Sequence, residues 1–149
     1  MEINKPDLSR SKPFKDFGQG FYLSPGYEQA HALAKQKTDQ LQSGEPCVTI
    51  FELEDQIIKT SDLQIKIFDD YCEEWAQFVL LDRSHTHPAH TYDIVIGPIA
   101  DDGVTYQLRR YSMGDISMSR LIEELKYANG LTIQYYFGTE HALSYLKKL

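Results

Sequence analysis

Asp16-Phe17-Gly18-Gln19-Gly20-Phe21-Tyr22-Leu23-Ser24 is the stretch whose reading decides how the rest of the chain is understood. Gly18 and Gly20 carry no Cβ, so the main chain there can turn and approach another group closely. Phe21 to Leu23 has the apolar, aromatic character of a short strand, and such a strand holds Tyr22 rigidly at the edge of a cleft. Tyrosine then offers a ring face for stacking and a hydroxyl for orientation, a combination that suits a flat, cationic ring. A glycine turn feeding a buried strand explains the same letters without any ligand.

Outward from this stretch, residues 1 to 18 carry Pro6, Pro13 and Gly18 among many charges and show no apolar period, which predicts an extended arm. After the strand, Ser24 is read as the cap of a helix that begins at Pro25. Tyr27, Ala30, Ala34 and Leu41 recur at helical spacing within it, and Gly44 is its stop. Cys47 to Leu53 and Leu63 to Phe68 are β-rich and read as strands, and Asp70 with Glu73 resembles a capping box before a helix bearing Tyr71, Trp75, Phe78 and Val79. Ile94-Val95-Ile96, ending at Gly97-Pro98, has the continuous apolar character of a strand buried on both faces. Helices follow after Asp102 and from Ser117. The period then changes to two, with Leu131, Ile133, Tyr135 and Phe137 on one strand face and Thr132, Gln134 and Tyr136 on the other. Thr139 caps a last helix with Ala142, Leu143 and Leu146 inward. Without a regular βαβ rhythm or a dinucleotide glycine fingerprint, the pattern predicts an α+β fold.

A length of 149 residues with 42% hydrophobic side chains suits a single domain spanning residues 1–149, since a domain near this size buries roughly 68–70% of its unfolded surface. The net charge of −7 opposes nonspecific attraction to phosphate backbones and anionic membranes. Lys5, Arg10, Lys12 and Lys15 are interrupted by Asp7 and Asp16, which makes a solvated edge rather than a DNA footprint. Cys47 and Cys72 fall within expected core elements and are read as small buried thiols. With no apolar leader or long apolar span, the expected setting is the cytoplasm, with no membrane partner.

The glycine-aromatic-tyrosine stretch resembles the second motif of ADP-ribosyltransferases with a His-Tyr-Glu type of site. Glu28-Gln29-Ala30, Glu74-Trp75, Phe78-Val79, the segment from Tyr92 to Asp102, and Gln134 followed by Phe137, Thr139 and Glu140 extend the likeness. In that order they resemble a bacterial domain family of unknown function placed in the ADP-ribosyltransferase superfamily, from about Pro6 to Leu146. The resemblance implies an ADP-ribosyltransferase-like split β-sheet with surrounding helices and NAD, as substrate, in the cleft between two small sheets. It implies that Tyr22 stacks on the nicotinamide and that Gln134 orients the ribose. Gly20, Phe21, Tyr22 and Ser24 would line the dinucleotide, and Arg10, with Lys12, would reach its pyrophosphate. It further implies a toxin-like transferase with a protein or nucleic-acid acceptor and an antitoxin-like partner.

Three departures from the family pattern qualify that expectation. Residues 1–149 hold no opening strand with a His-Gly or Arg-Gly pair, so either Met1 is an internal or misassigned start or the chain naturally lacks that part of the site; Leu33 stands where relatives carry an aromatic, and Gln134 stands where many have glutamate. Cleaving the nicotinamide–ribose bond passes through an oxocarbenium-like sugar, which negative charge stabilises. Replacing a charged by a neutral acceptor raises the barrier by about 3 kcal/mol, near a hundredfold in rate. Glu140 is close enough in sequence to supply charge, although its place in a first helical turn is explained by the macrodipole. These departures carry a second reading, a catalytically degenerate module that binds a nucleotide or a protein and acts as a regulatory interaction protein. His85, His87 and His90 have spacing for a shared ion, but Pro88 breaks any helix there and a loop is expected instead. Asp101-Asp102 reads as a helix start. Asp16-Phe17-Gly18 has the letters of a kinase magnesium motif with nothing else of a kinase around it.

Overall fold

The computed structural model describes residues 3–60, 62–127 and 132–149. Its strands are β1 (Phe21–Leu23), β2 (Phe51–Glu52), β3 (Ile65–Ile67), β4 (Ile94–Pro98), β5 (Ile133–Phe137) and β6 (Lys147–Lys148). Six α-helices are present among the described residues: α1 (Tyr27–Leu41), α2 (Asp55–Thr60), α3 (Glu73–Arg83), α4 (Asp102–Ser112), α5 (Met118–Lys126) and α6 (Glu140–Leu143). The fold is mixed α+β. Its main sheet has the order β1-β5-β4-β3, in which β3 and β4 run parallel through the α3 crossover and the other pairs are antiparallel. A separate antiparallel pair joins β2 to β6.

Ile94 to Ile96 does form the buried inner strand its composition requires, paired to β3 on one side and to β5 on the other. Side chains alternate across a strand, so the register assigns each to one of two cores. Tyr22, Tyr136 and Val95 lie side by side on one face, where α3, α4 and α5 contribute Trp75, Val79, Leu108, Leu121 and Leu125. Phe21, Phe137 and Ile94 lie on the other face, against Ala142 and Leu143 of α6. Each large apolar side chain so enclosed contributes about 1.5–3 kcal/mol relative to an exposed one. The alternation of Ile133, Tyr135 and Phe137 against Gln134 and Tyr136 is as read, but both faces are covered. Leu131, assigned to the same strand, lies outside the described residues.

Several local expectations hold. Ser117 and Thr139 accept from Arg120 N at 3.1 Å and Ala142 N at 3.1 Å, and Asp101 accepts from Val104 N at 2.8 Å, so each caps its helix. Others are corrected. Ser24 does not cap α1; Gly26 holds that position without a side-chain bond, while the Ser24 hydroxyl accepts from Gly26 N and donates to Gln29 Oε1 at 2.7 Å. The helix ends before Gly44, with Gln42 in the left-handed region at φ 52°. Helix α3 is capped by Cys72, whose Sγ accepts from Trp75 N at 3.4 Å, because Asp70 turns to Tyr71 N instead. Neither thiol is a core residue, since Cys47 is exposed and Cys72 is half-buried. The strand expected over Cys47 to Leu53 contracts to Phe51–Glu52, the length that its partner β6 covers.

The expected arm is the largest correction. It contains a 3-10 turn at Leu8–Arg10, and then Asp16, Phe17 and Gly18 enter the interior. Phe17 is wholly buried between the sheet and α3. Among the described residues no helix is long and apolar enough to cross a membrane.

Candidate functional site

The Asp16-Phe17-Gly18-Gln19 turn is where the polar groups of the first sheet face converge. Tyr22, on β1, accepts from Phe17 N at 3.0 Å and donates its hydroxyl proton to Gly18 O at 2.6 Å. Tyr136, on β5, donates to Gln19 O at 3.1 Å. His90 bonds Phe17 O through Nε2 at 2.7 Å, and its Nδ1 accepts from Tyr92 N at 3.0 Å. Since Nδ1 must accept, the ring donates from Nε2, and one neutral tautomer satisfies both neighbours. Buried backbone groups need such partners, and this turn finds them in the nearby Tyr22 and in Tyr136 and His90, which are distant in sequence.

The two glycines serve this packing. Gly18 adopts φ +95°, a conformation that disfavours a side chain, and a Cβ there would press on Pro88. A Cβ on Gly20 would overlap the Tyr136 ring. Tyr22 itself lies stacked on Phe17 at 6.5 Å and edge-on to Tyr136 at 5.3 Å. Burial pushes the Tyr22 hydroxyl well above the ordinary phenol range, opposed in part by the Phe17 N–H bond, and burial does the same for Tyr136. Both phenols therefore stay protonated and able to donate.

Asp16 is the charged centre. It is 7% exposed. Its Oδ1 accepts from Arg83 Nε at 2.7 Å, and its Oδ2 accepts from Ala100 N at 2.9 Å and from Gln134 Nε2 at 3.2 Å. Arg83 comes from the last turn of α3, where a cation also complements the helix dipole. Ala100 lies two residues beyond the end of β4. The loop that carries it is fixed by Trp75 Nε1 donating to Pro98 O and by the Tyr71 hydroxyl donating to Ile99 O, both at 3.1 Å. Four segments far apart in sequence thus meet at one carboxylate.

A second acid, Asp82, is buried behind this cluster at 1% exposure. Its Oδ1 accepts from Ala89 N at 2.9 Å and stands 4.0 Å from His90 Nε2. Burial raises the Asp82 carboxyl above the usual range, opposed by the Ala89 hydrogen bond.

Of the residues singled out in the sequence, Tyr22, Gly20 and Gln134 are brought to one sheet face around this turn. The Tyr22 hydroxyl is not offered at a cleft edge, as the strand reading expected; it is turned inward onto the glycine turn. Phe21 points to the opposite face and packs edge-on against Phe51 at 5.8 Å. Ser24 is engaged with the first turn of α1. Arg10 is exposed and paired with Asp7 at 3.7 Å. Leu33 lies exposed on α1. Glu140 begins α6 on the other side of the sheet, where it lines an open groove of about 350 Å³ with Lys5, Phe51 and Lys148. It is therefore not the neighbour of Gln134. His85 is exposed while His90 points into the core, and among the described residues no three histidines, cysteines or acids are grouped to hold a metal.

Sequence reasoning misses Asp16 and Arg83. The letters Asp16-Phe17-Gly18 are a signal, masked by their likeness to a kinase motif; a buried acid before a glycine turn is the simpler message. Arg83, at the end of an amphipathic helix, carries no local signal at all.

No curated protein and no solved structure shows significant similarity to this chain. The model of a family described as a protein of unknown function, DUF3990, matches residues 1–148. Because that match spans nearly the whole chain, the chain belongs to the DUF3990 family.

Proposed function

We propose that this chain is an ADP-ribosyltransferase-like protein that binds NAD and transfers or hydrolyses ADP-ribose slowly. One observation carries the reading: Tyr22 and Gln134, the two residues matched to the nicotinamide and ribose positions, share one face of neighbouring strands and bond to the same turn. In this reading the Gln134 amide oxygen accepts from a ribose hydroxyl. The Tyr22 ring, stiffened by its two hydroxyl contacts, forms the wall on which the nicotinamide rests. A neutral amide stabilises a developing oxocarbenium less than a carboxylate does, so turnover is slow. Such slow transfer to a protein or nucleic-acid acceptor, restrained by an antitoxin-like partner in a bacterial cytoplasm, is the toxin-like role this reading carries.

A second reading is favoured by the inward Tyr22 hydroxyl: with that group spent on Phe17 and Gly18, the domain is a nucleotide- or protein-binding module without catalysis. Incubation of the purified protein with NAD, followed by chromatography for free nicotinamide, separates the two. Release that disappears in Tyr22→Ala and Gln134→Ala supports the transferase; NAD binding without release supports the module.

A further inference from the structure

We infer that Asp16 is the positioning residue of this site and that Gln134 is its matched partner, a carboxamide whose NH2 group faces the buried acid and whose oxygen is left to accept a hydroxyl of the ligand. The ligand class, a ribose diol, rests on the nucleotide-binding reading above; the pairing itself rests on geometry. A carboxylate bonded to a guanidinium is an acceptor only, so the group that meets Asp16 Oδ2 at 3.2 Å has to be the amide nitrogen. That assignment follows from the chemistry of the partner. Among the described residues no donor is bonded to Gln134 Oε1, which leaves this atom as the acceptor for a ligand.

The consequence reverses the meaning of the missing glutamate. A glutamate at position 134 would set a second carboxylate against Asp16 in a site where Asp16 is already 7% exposed, and two acids in contact cannot both ionise without a large penalty. Gln134 is therefore the residue that a carboxylate at position 16 demands, rather than a decayed glutamate. Negative charge is still present in the site, one hydrogen bond behind the ligand-facing oxygen, and a chain of hydrogen bonds passes part of its polarisation on to that oxygen. Among the described residues, titratable groups near Asp16 include Arg83 from α3, Tyr22 from β1, Tyr71 ahead of α3, and Asp101, which follows the bonded Ala100. On β4, opposite Gln134, stands Gly97, which contributes no charge.

The test compares wild type, Gln134→Glu and the double variant Asp16→Asn with Gln134→Glu, by melting temperature from about pH 5 to about pH 8, the range over which a strained carboxylate pair takes up its proton. Gln134→Glu should melt well below wild type at the upper end and approach it at the lower end, because its acid pair binds a proton more readily folded than unfolded. The double variant exchanges the two groups, so that the carboxamide introduced at position 16 can donate to the carboxylate introduced at position 134, and it should lose that extra pH dependence. A Gln134→Glu profile parallel to wild type would overturn the pairing. Should the double variant not fold, the Gln134 side-chain amide resonance in wild type, identified by its loss in Gln134→Met, decides instead: slowed hydrogen exchange supports the bond to Asp16, and free exchange refutes it. NAD titrated calorimetrically should bind Gln134→Met, which has no acceptor oxygen there, at least about tenfold more weakly than wild type, roughly the loss of one good hydrogen bond. Wild type that fails to bind NAD overturns the ligand assignment and the reading beneath it, while the melting profiles still decide the pairing.

Discussion

Gln134 on β5 donates from Nε2 to Asp16 across 3.2 Å, joining residues 118 positions apart in the chain. That bond closes a network around a turn whose main-chain groups are otherwise held by Tyr22, Tyr136 and His90. Stability depends on these few side chains, and on the proposed function ligand recognition does too, which gives each substitution a defined signature.

Arg83→Met should destabilise the fold by about 2 kcal/mol. Removing one member of a buried pair costs roughly 3–5 kcal/mol because the other charge is stranded, and the partial exposure of Arg83 reduces this. Urea unfolding checks the value, and in an Asp16→Asn background the same substitution should cost clearly less.

Tyr22→Phe keeps the ring but removes the hydroxyl that bridges Phe17 N and Gly18 O. Leaving those two groups without a partner should cost about 1–3 kcal/mol. On the proposed function the ring wall survives, so Tyr22→Phe should retain NAD affinity while Tyr22→Ala loses it. Equal losses in the two variants would assign the hydroxyl, not the ring, to the ligand.

Gly20→Ala places a methyl group where the Tyr136 ring lies. Overpacking of this kind costs roughly 1–3 kcal/mol. Thermal unfolding should show a marked fall in melting temperature, whereas Gly44→Ala, with open space at its Cβ position but a φ of +80°, reports the backbone strain alone.

Asp82 provides a pH signature. Burial raises its carboxyl in the folded state, so the folded protein holds that proton more tightly than the unfolded chain does. The associated stability is present below the ordinary aspartate value, about 3.9, and is lost as pH rises through the raised folded value. Asp82→Asn mimics the neutral form and keeps an oxygen for Ala89 N. Its melting temperature relative to wild type should therefore increase with pH, and a difference that stays constant would contradict the assignment.

Much of the scaffold was legible because its signals are local. The unbroken apolar run at Ile94 to Ile96 marks an inner strand, two-residue alternation separates Gln134 and Tyr136 from Ile133 and Tyr135, and Ser117 and Thr139 announce their helices. What failed depends on distant partners. Nothing near Asp16 reveals Arg83, 67 residues away, so the charged segment reads as solvated arm although its end is core. Asp70 and Glu73 offer a capping pattern, yet the chain enters α3 with Cys72 at the cap because Asp70 bonds its own neighbour. Strand pairing puts Tyr22 on the face of Tyr136 and Gln134, while the direction of its hydroxyl was decided by a backward-folding glycine turn.

The most direct measurement is a calorimetric titration of NAD into the wild-type chain and into Gln134→Ala. Saturable binding by wild type, weakened in the variant by about 1.4 kcal/mol or more, is the expected result, a tenfold or greater loss from one good hydrogen bond. No heat of binding to wild type, or identical affinities in the two proteins, would contradict it.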